Sequence, residues 1–291
     1  IRIIFAFLAV SAAMIPAQSS ANTDPTKPPA LVASKYQTSI NWTVSDNFNT
    51  LDFSKWTYRT QGDPSIVSVG VGSSYAYIVN QGGTSFVSLR GSGSTKKGGG
   101  ISALNTAHYG FYIAKFRLIG GFNGTNSTVW HPAIWGSPFN MAGKSLNPVP
   151  SNWVEIDFME WKQGTSGWDS HMIPRVNNVT ENSSKWPYFF TEYGAPDHSS
   201  WKIIGLEYEG DIPGQATGMQ TWEFVNGSWI KRGPKIWYSG YENTRGKLLG
   251  TCRSPQYWVL SNPNFVPARP WAFYQGDSWM HVDYFYHYKW K

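Results

Sequence analysis

The chain has 291 residues, of which 41% are hydrophobic, 16% aromatic and only 14% charged. Its length fits one large all-β domain or two small domains, and 29 glycines and 18 prolines favour strands and turns over long helices. The net charge of +6 is spread along the chain rather than gathered in a basic stripe, which argues against nucleic acid as a partner. The single cysteine, Cys252, excludes an intramolecular disulfide.

The first 34 residues have the pattern of an exported protein. Residues 1–21 place Arg2 before a nearly continuous apolar run that ends in small residues suited to cleavage, which is typical of a secretory signal. The run is too short for a comfortable membrane span, so we predict an extracellular protein that does not bind a membrane. Residues 22–34 are rich in proline and predict a disordered linker before a single domain over residues 35–291.

Six Asn-x-Ser/Thr sequons would carry glycans only in a eukaryotic host. They begin at Asn41, Asn123, Asn126, Asn178, Asn182 and Asn226. Since chance supplies several sequons in a chain rich in these residue types, they do not assign a compartment.

Short alternating segments follow the linker and are joined by turn residues. Tyr75–Val79 and Ser85–Arg90 are predicted strands, and Gly82-Gly83 between them is typical of a tight hairpin turn. Tyr109–Leu118 is a longer predicted strand with the same period of two. Helix formers at 3.6-residue spacing are not found, so the sequence predicts an all-β fold.

The stretch from Asn152 to Trp161 contains three carboxylates. Glu155 and Asp157 alternate with apolar residues and therefore point to the same face of a strand. Glu160 is out of phase with them, but one bulge at Phe158-Met159 would return it to that face. The three carboxyl groups would then follow one another at roughly 6 to 7 Å per pair of residues.

A row of like charges is unfavourable unless chemistry requires it. Hydrolysis of a glycosidic bond requires two carboxyl groups, one ionised and one protonated, on either side of the bond that breaks. A third acid between them can raise the pKa of one partner and orient the other. The alternative is a solvated acidic face of an ordinary strand, which the aromatic surroundings disfavour.

The segment Glu155-Ile-Asp-Phe-Met-Glu160 resembles the catalytic signature of glycoside hydrolase family 16. The resemblance continues in order along residues 44–288. It is carried by Asp46-Asn-Phe-Asn49 with Leu51-Asp-Phe-Ser-Lys-Trp56, by Tyr109–Leu118, Thr128–Trp135, His198–Tyr208, Pro255–Asn262 and Ser278–Tyr288.

The resemblance implies a β-jelly-roll sandwich of two curved antiparallel sheets with a substrate cleft on the concave sheet. It also implies retaining hydrolysis of a β-linked polysaccharide. Glu155 would be the nucleophile, Asp157 the assisting acid and Glu160 the acid/base, with the Glu155 and Glu160 carboxyl groups roughly 5 to 5.5 Å apart. No cofactor is expected for catalysis, and the protein is expected to be a monomer.

Substrate-binding residues follow from the same comparison and, for His171 and Arg175, from their position on the strand expected beside the acidic one. The family strand "Trp-Pro-Ala-x-Trp" matches Pro132-Ala133 and Trp135, with His131 where glucan-cleaving members carry Trp. The positions predicted to contact sugar are Trp130, His131, Trp135, Trp161, His171, Arg175, Glu207, Arg269 and Trp271. A packing role in the core is the alternative for Trp130 and Trp135, and an ordinary surface or core role is the alternative for His171.

Two departures from the family pattern bear on the substrate. His131 replaces the usual Trp, and the usual Gly-Gly-x-Trp-x-Gly is missing, with Arg269 and Trp271 in that region instead. Together with the basic net charge, which draws polyanions, they favour an algal galactan of the agar, porphyran or carrageenan kind. The alternatives are a laminarin-type β-1,3-glucan as substrate, a transglycosylase, and a non-catalytic glycan-binding protein. The basic charge is equally explained by solubility alone.

The resemblance also suggests a structural calcium ion. Members often hold one with an Asp of the closing strand and groups near the first strand, which makes Asp283 and Asp46 the candidate ligands. Two acids without a ligand-rich loop carry little weight by themselves, because Ca²⁺ takes six to eight oxygen ligands.

Overall fold

A computed structural model describes most of the chain. The described residues are 23–62, 67–120, 130–149, 153–161, 168–176, 179–180, 188–189, 199–210, 218–237, 255–265 and 276–291. The predicted signal at residues 1–21 lies outside them. No helix in these ranges is long and apolar enough to cross a membrane.

Eighteen strands and one short 3-10 helix, η1 (Ala33–Lys35), make up the described secondary structure. The strands are β1 (Trp56–Tyr58), β2 (Val67–Ser68), β3 (Ala76–Gln81), β4 (Thr84–Ser92), β5 (Lys97–Gly98), β6 (Gly100–Ala103), β7 (Gly110–Ile119), β8 (Ala133–Ser137), β9 (Trp153–Trp161), β10 (Trp168–Val176), β11 (Val179–Thr180), β12 (Tyr188–Phe189), β13 (Lys202–Glu209), β14 (Gly218–Val225), β15 (Ser228–Trp237), β16 (Tyr257–Ser261), β17 (Asn264–Phe265) and β18 (Ser278–Lys289).

Two large sheets form a β-jelly-roll sandwich, which confirms the predicted fold class. The first sheet has the order β1-β6-β16-β8-β9-β10-β11, with β12 paired to β10. The second has the order β15-β14-β13-β7-β18-β4-β3, with β5 paired to β4. A third, small sheet joins β17 to β2, and every ladder between described strands is antiparallel.

The hairpin turn predicted at Gly82-Gly83 is confirmed, and a second hairpin has the same kind of backbone. Gln81 pairs with Thr84 across Gly82-Gly83, whose φ angles are +61° and +79°. Asn226 and Gly227 join β14 to β15 with φ angles of +50° and +78°. Positive φ at both central positions gives the twist that a two-residue hairpin needs, which is why Gly and Asn occupy these positions.

The main core lies between the two large sheets. Alternate residues of β9, β16, β7 and β18 point into it, among them Ile156, Leu260, Ala114 and Phe285, all with no exposed surface. The opposite face of β9 and its neighbours is free of this core and carries polar side chains. The first sheet therefore presents one apolar face to the interior and one face on which a binding site can form.

A second apolar cluster covers the outer face of the second sheet. There Tyr36, which has no exposed surface, and Val32 pack with Phe111 and Trp222. Backbone bonds fix this N-terminal strap (residues 23–40) to the end of β18, including Gln37 N–H to Lys289 O at 2.9 Å.

The strap corrects the predicted disordered linker at residues 22–34. The described part, residues 23–34, is packed, and its prolines Pro28 and Pro29 are buried rather than solvated. The prediction was wrong because it considered only the prolines. Val32 and Tyr36 supply apolar surface that matches the exposed outer face of the sheet, and this burial offsets the cost of ordering the segment.

An ion cluster fastens the strap to β13. Lys35 Nζ lies 2.7 Å from Glu207 Oε1 and 2.5 Å from Glu209 Oε1, and Lys235 also binds the Glu209 carboxylate. Burial and the neighbouring Glu209 raise the pKa of Glu207. Burial acts to raise the pKa of Glu209 as well, but hydrogen bonds with Glu207, Lys235 and Lys35 outweigh it and hold that pKa at about 2.

Buried neutral histidines predict a loss of stability in mild acid. Burial lowers the pKa of His287 to about 3, and the ring accepts from Asn41 Nδ2 at Nδ1 over 3.1 Å. Because the folded pKa lies below the ordinary value of 6.5, His287 contributes stability fully above pH 6.5 and loses it as pH falls towards 3. Burial likewise lowers the pKa of His281 to about 4.

We expect the free energy of unfolding to fall by about 1.4 kcal/mol per histidine for each pH unit below 6.5. Urea unfolding at pH 7, 6 and 5 measures this slope. His287→Gln keeps a donor towards Tyr109 O but cannot take up a proton, so its slope should be smaller than that of the wild type. An equal slope in the two proteins would remove His287 from the explanation.

Candidate active site

Strand β9 carries the three carboxylates and is irregular where the sequence predicts it to be. On β8, Ile134 and Trp135 are consecutive. Their partners on β9 are Met159 and Asp157, which leaves Phe158 as an extra residue of this ladder. The register against β10 shifts at the same place. The bulge predicted at Phe158-Met159 is therefore confirmed.

The bulge decides which way Glu160 points. Phe158 and Met159 both pack in the main core with no exposed surface. Glu160 then returns to the face that Glu155 and Asp157 occupy, and all three line one cleft. A regular strand would have buried the Glu160 carboxylate in the core, where an unpaired charge is costly.

The cleft is a cavity of about 310 Å³ on the open face of the first sheet. It is lined by Arg59, Gly62, Val67, His131, Ala133, Trp135, Met141, Trp153, Glu155, Asp157, Glu160, Ser261 and Pro263. Its wall thus combines three acids, one histidine and one arginine with two tryptophan rings.

The three acids differ in exposure. Asp157 is 1% exposed and forms the floor of the cleft, whereas Glu155 is half-buried and the side chain of Glu160 is 23% exposed. A buried central acid between two accessible ones is the arrangement expected if the outer pair meets a ligand and the central acid orients them.

His131 contacts Glu160 directly. Its Nε2 lies within hydrogen-bond distance of Glu160 Oε1, and its side chain is 11% exposed. The backbone N–H of His131 donates to Pro263 O at 3.0 Å, which fixes the position of the residue at the cleft wall. The structure therefore brings together the predicted acid/base and the residue that departs from the family pattern.

Trp135 and Arg59 also line the cleft, and Trp135 is paired with Asp157 in the ladder between β8 and β9. The Arg59 guanidinium lies 5.4 Å from the centre of the Trp135 ring, a cation–π contact, and Nη1 donates to Ser261 Oγ at 3.0 Å. Burial lowers the pKa of Arg59 to about 10, against the opposing effect of Glu155, so the guanidinium is charged at neutral pH. Trp135 Nε1 donates to the same Ser261 Oγ at 3.3 Å.

Sequence reasoning gave no site role to eight of these lining residues, namely Arg59, Gly62, Val67, Ala133, Met141, Trp153, Ser261 and Pro263. A signal existed for Arg59. Trp56 and Tyr58 pack on the main core, so period-two alternation continued past β1 puts Arg59 on the cleft face. Met141 lies in a loop, and no local pattern indicates its position.

Two predicted sugar-binding tryptophans belong to the core instead. Trp130 has no exposed surface, and its Nε1 donates to Gly276 O at 2.8 Å. Trp161 is 1% exposed and packs in the same core. Both predictions were wrong because neighbours of cleft residues on a strand point to the opposite face, and Trp161 directly follows Glu160.

Glu207 is also outside the cleft. It lies on the outer face of the second sheet, where it binds Lys35 and accepts from Trp222 Nε1 at 3.3 Å. The prediction that it contacts substrate is wrong. Its function in this protein is to anchor the N-terminal strap.

Four further predictions concern β10 and the region after β17. By register, His171 is opposite Asp157 and Arg175 is opposite Trp153, which places both on the strand next to β9. Arg269 and Trp271 lie outside the described residues. Sugar contact by these four residues stays a prediction.

The two calcium candidates have protein partners. Asp283 Oδ2 is 2.5 Å from Lys115 Nζ. Asp46 accepts from Phe48 N–H at 2.8 Å and from Trp56 Nε1 at 3.1 Å. Within the described part of the chain, no group of three or more His, Cys, Asp or Glu side chains could hold a metal ion. The calcium prediction gains no support from these contacts.

No protein-family model matches the sequence, and no curated protein matches it. Solved structures do match over most of the chain. One, from work on endo-acting O-glycanases that human gut bacteria use to initiate mucin breakdown, has a TM-score of 0.59 and 18% identity, covering 87% of this chain and 100% of that one.

Two other matching structures are similar in extent. The κ-carrageenase of Pseudoalteromonas carrageenovora, in complex with a κ-carrageenan oligotetrasaccharide, gives a TM-score of 0.56 at 14% identity and covers 86% of this chain and 94% of that one. A glycoside hydrolase family 16 endo-glucanase from Bacteroides ovatus gives 0.57 at 13% identity and covers 83% and 98%. The chain thus has the β-sandwich fold of glycoside hydrolase family 16.

Proposed function

We propose that this protein is a secreted endo-β-glycosidase that acts with retention of configuration. The observation that carries the proposal is the bulge of β9, which places Glu155, Asp157 and Glu160 together in one open cleft. Several matching structures are named for glycan-cleaving activities, among them endo-acting O-glycanases, a κ-carrageenase and an endo-glucanase, which supports the proposal at the level of the fold. Another is named a pseudo β-1,3-glucanase, so the fold alone does not separate cleavage from binding.

The proposed reaction has two steps. In the first, Glu155 attacks the anomeric carbon while Glu160 donates its proton to the departing glycosidic oxygen. In the second, the Glu160 carboxylate takes a proton from water, which attacks the same carbon and releases Glu155. Asp157, buried between the two, orients Glu155 and disfavours ionisation of Glu160 until the first step.

For the substrate we propose a β-linked galactan of the agar, porphyran or carrageenan kind. Two features support a galactan over a plain glucan. His131 lines the cleft at the position where glucan-cleaving members of the family carry a tryptophan, and Arg59 supplies a buried positive charge in the cleft. A sulfate ester is a ligand that a guanidinium binds well.

Arg59→Gln is expected to lower kcat/KM at least tenfold on a sulfated galactan while changing it less than threefold on a neutral one, since one charge-assisted hydrogen bond contributes about 1.5 to 3 kcal/mol. Reducing-end release at matched substrate concentrations measures both. Equal losses on the two substrates would show that Arg59 supports the cleft rather than selects the anion.

A polysaccharide panel tests the proposed function as a whole. The protein is incubated with laminarin, lichenan, agarose, porphyran and κ-carrageenan, and the oligosaccharides are profiled by length. We expect short oligosaccharides from one of the three galactans. Cleavage of laminarin instead would favour the β-1,3-glucanase alternative, and binding without cleavage of any substrate would favour a glycan-binding protein.

Transglycosylation is the remaining alternative, because the same intermediate can pass to a sugar instead of water. Products longer than the starting oligosaccharide would identify it. Retention of all three acids in the cleft argues against a purely binding role, since such a role does not need a row of like charges.

A further inference from the structure

The contact between His131 and Glu160 has a consequence for the proton that the reaction needs. Nε2 of His131 faces Oε1 of Glu160. A proton located between these two atoms can be bonded either to the imidazole nitrogen or to the carboxylate oxygen. One proton placed on either atom gives the pair the same net charge. Both side chains are mostly buried, so water competes weakly for this proton.

We infer that His131 and Glu160 hold the catalytic proton as one unit and that His131 is a positioning residue for the acid/base. The inference rests on the proposed function, in which Glu160 is that acid/base. In the first step Glu160 gives the proton of the pair to the glycosidic oxygen. The bond between that oxygen and the anomeric carbon breaks while Glu155 bonds to the anomeric carbon. In the second step the pair regains one proton from the attacking water.

Other charges around the pair act on its single proton. They are Glu155 and Asp157 on β9, Asp169 opposite Glu160 on β10, and Arg59 in the lining of the same cleft. The acids outnumber the cation Arg59, so the surroundings favour keeping the proton on the pair.

Sharing extends the pH range over which the proton is retained. When one proton can be bonded to either of two sites, there are two protonated forms and only one deprotonated form. The pair therefore loses the proton at a higher pH than either site would alone. The fraction of the proton on Glu160 within the pair does not change with pH. The alkaline limb of kcat/KM against pH therefore reports the pair and not Glu160 alone.

The first test replaces His131 by a side chain that donates but does not titrate. His131→Gln is expected to move the alkaline limb down by about one pH unit or more, measured on the polysaccharide that the panel shows to be cleaved. His281→Gln, a change on the outer face of the second sheet, should leave the limb in place. About 0.3 pH units is taken as the precision with which the midpoint of such a limb is fitted. If the limb of His131→Gln lies within that distance of the wild-type limb, the inference is overturned, whatever happens to kcat.

The second test needs no activity. NMR of the imidazole ¹⁵N signals at one fixed pH shows whether Nε2 of His131 shares a proton in the resting protein, with the signals assigned by their absence in His131→Gln. In the pair, the Nε2 signal should lie between the positions of a protonated and an unprotonated ring nitrogen, and in Glu160→Gln it should move to one of these two limits. An Nε2 signal that is the same in both proteins overturns the shared proton. A shared-proton signal in a protein that cleaves nothing in the panel would support the pair while refuting the proposed function.

Discussion

Glu155→Gln is expected to lower kcat by about three orders of magnitude or more while leaving the fold intact. The amide keeps the shape of the side chain but cannot form the bond to the anomeric carbon. Glu155 is half-buried on the cleft face of β9, so the substitution disturbs no core contact. Turnover on the cleaved polysaccharide and the far-UV spectrum together measure this result.

Asp283→Asn is the matched control, a carboxylate changed to an amide on the outer face of the second sheet, where Asp283 pairs with Lys115. It should retain wild-type turnover. Unchanged activity in Glu155→Gln would remove that residue from the mechanism. A comparable loss in both variants would indicate destabilisation instead.

Glu160→Ala is expected to lose about 10²–10⁴ in kcat and to recover part of it in azide. The smaller side chain leaves room for the anion next to the anomeric carbon, and azide needs no general base to attack. Because the intermediate on Glu155 is retained, the product should be the β-glycosyl azide. Product configuration by proton NMR measures this outcome.

The corresponding experiment on Glu155→Ala separates the two roles. Without a nucleophile, azide would attack the substrate directly and give the α-glycosyl azide by a single inversion. An α-azide from Glu160→Ala, or a β-azide from Glu155→Ala, would mean that the roles of the two acids are exchanged.

The sequence predicted the strand that carries the site in detail. The acidic alternation at Glu155 and Asp157 set the face, and the phase of Glu160 required a bulge at Phe158-Met159, which the pairing registers contain. The prediction succeeded because successive side chains of a strand point to opposite faces. If three acids must share one face, the position of the bulge is then fixed by their spacing. The hairpin at Gly82-Gly83 was predictable for a similarly local reason, since its backbone needs positive φ.

Contacts between distant segments could not be read in the same way. Trp130, Trp161 and Glu207 lie close in sequence to site-like motifs, but each points away from the cleft. For Trp161 the direction follows from the bulge at Phe158-Met159, which places it on the face opposite to that of Glu160. For Trp130 and Glu207 it depends on the neighbouring elements of the sandwich, which a single segment does not encode. Arg59 is the reverse case, because it lines the cleft although it lies nearly 100 residues before β9 in the sequence.

The prediction for the N-terminal strap was wrong for a different reason. Composition alone gives proline-rich residues 22–34 as solvated chain. Whether Val32 and Tyr36 find an apolar surface depends on the exposed side of the second sheet, where Phe111 and Trp222 are located. Only the assembled sandwich creates that surface.

Trapping the covalent intermediate tests most directly whether the bulged strand aims its acids at one sugar linkage. A 2-deoxy-2-fluoro glycoside built on the oligosaccharide found in the panel would react with the nucleophile and release it slowly. Peptide mapping by mass spectrometry should find one sugar per chain, attached to Glu155 and absent from Glu155→Gln. Attachment to Asp157 or Glu160, or hydrolysis with inversion and no attached sugar, would contradict the account.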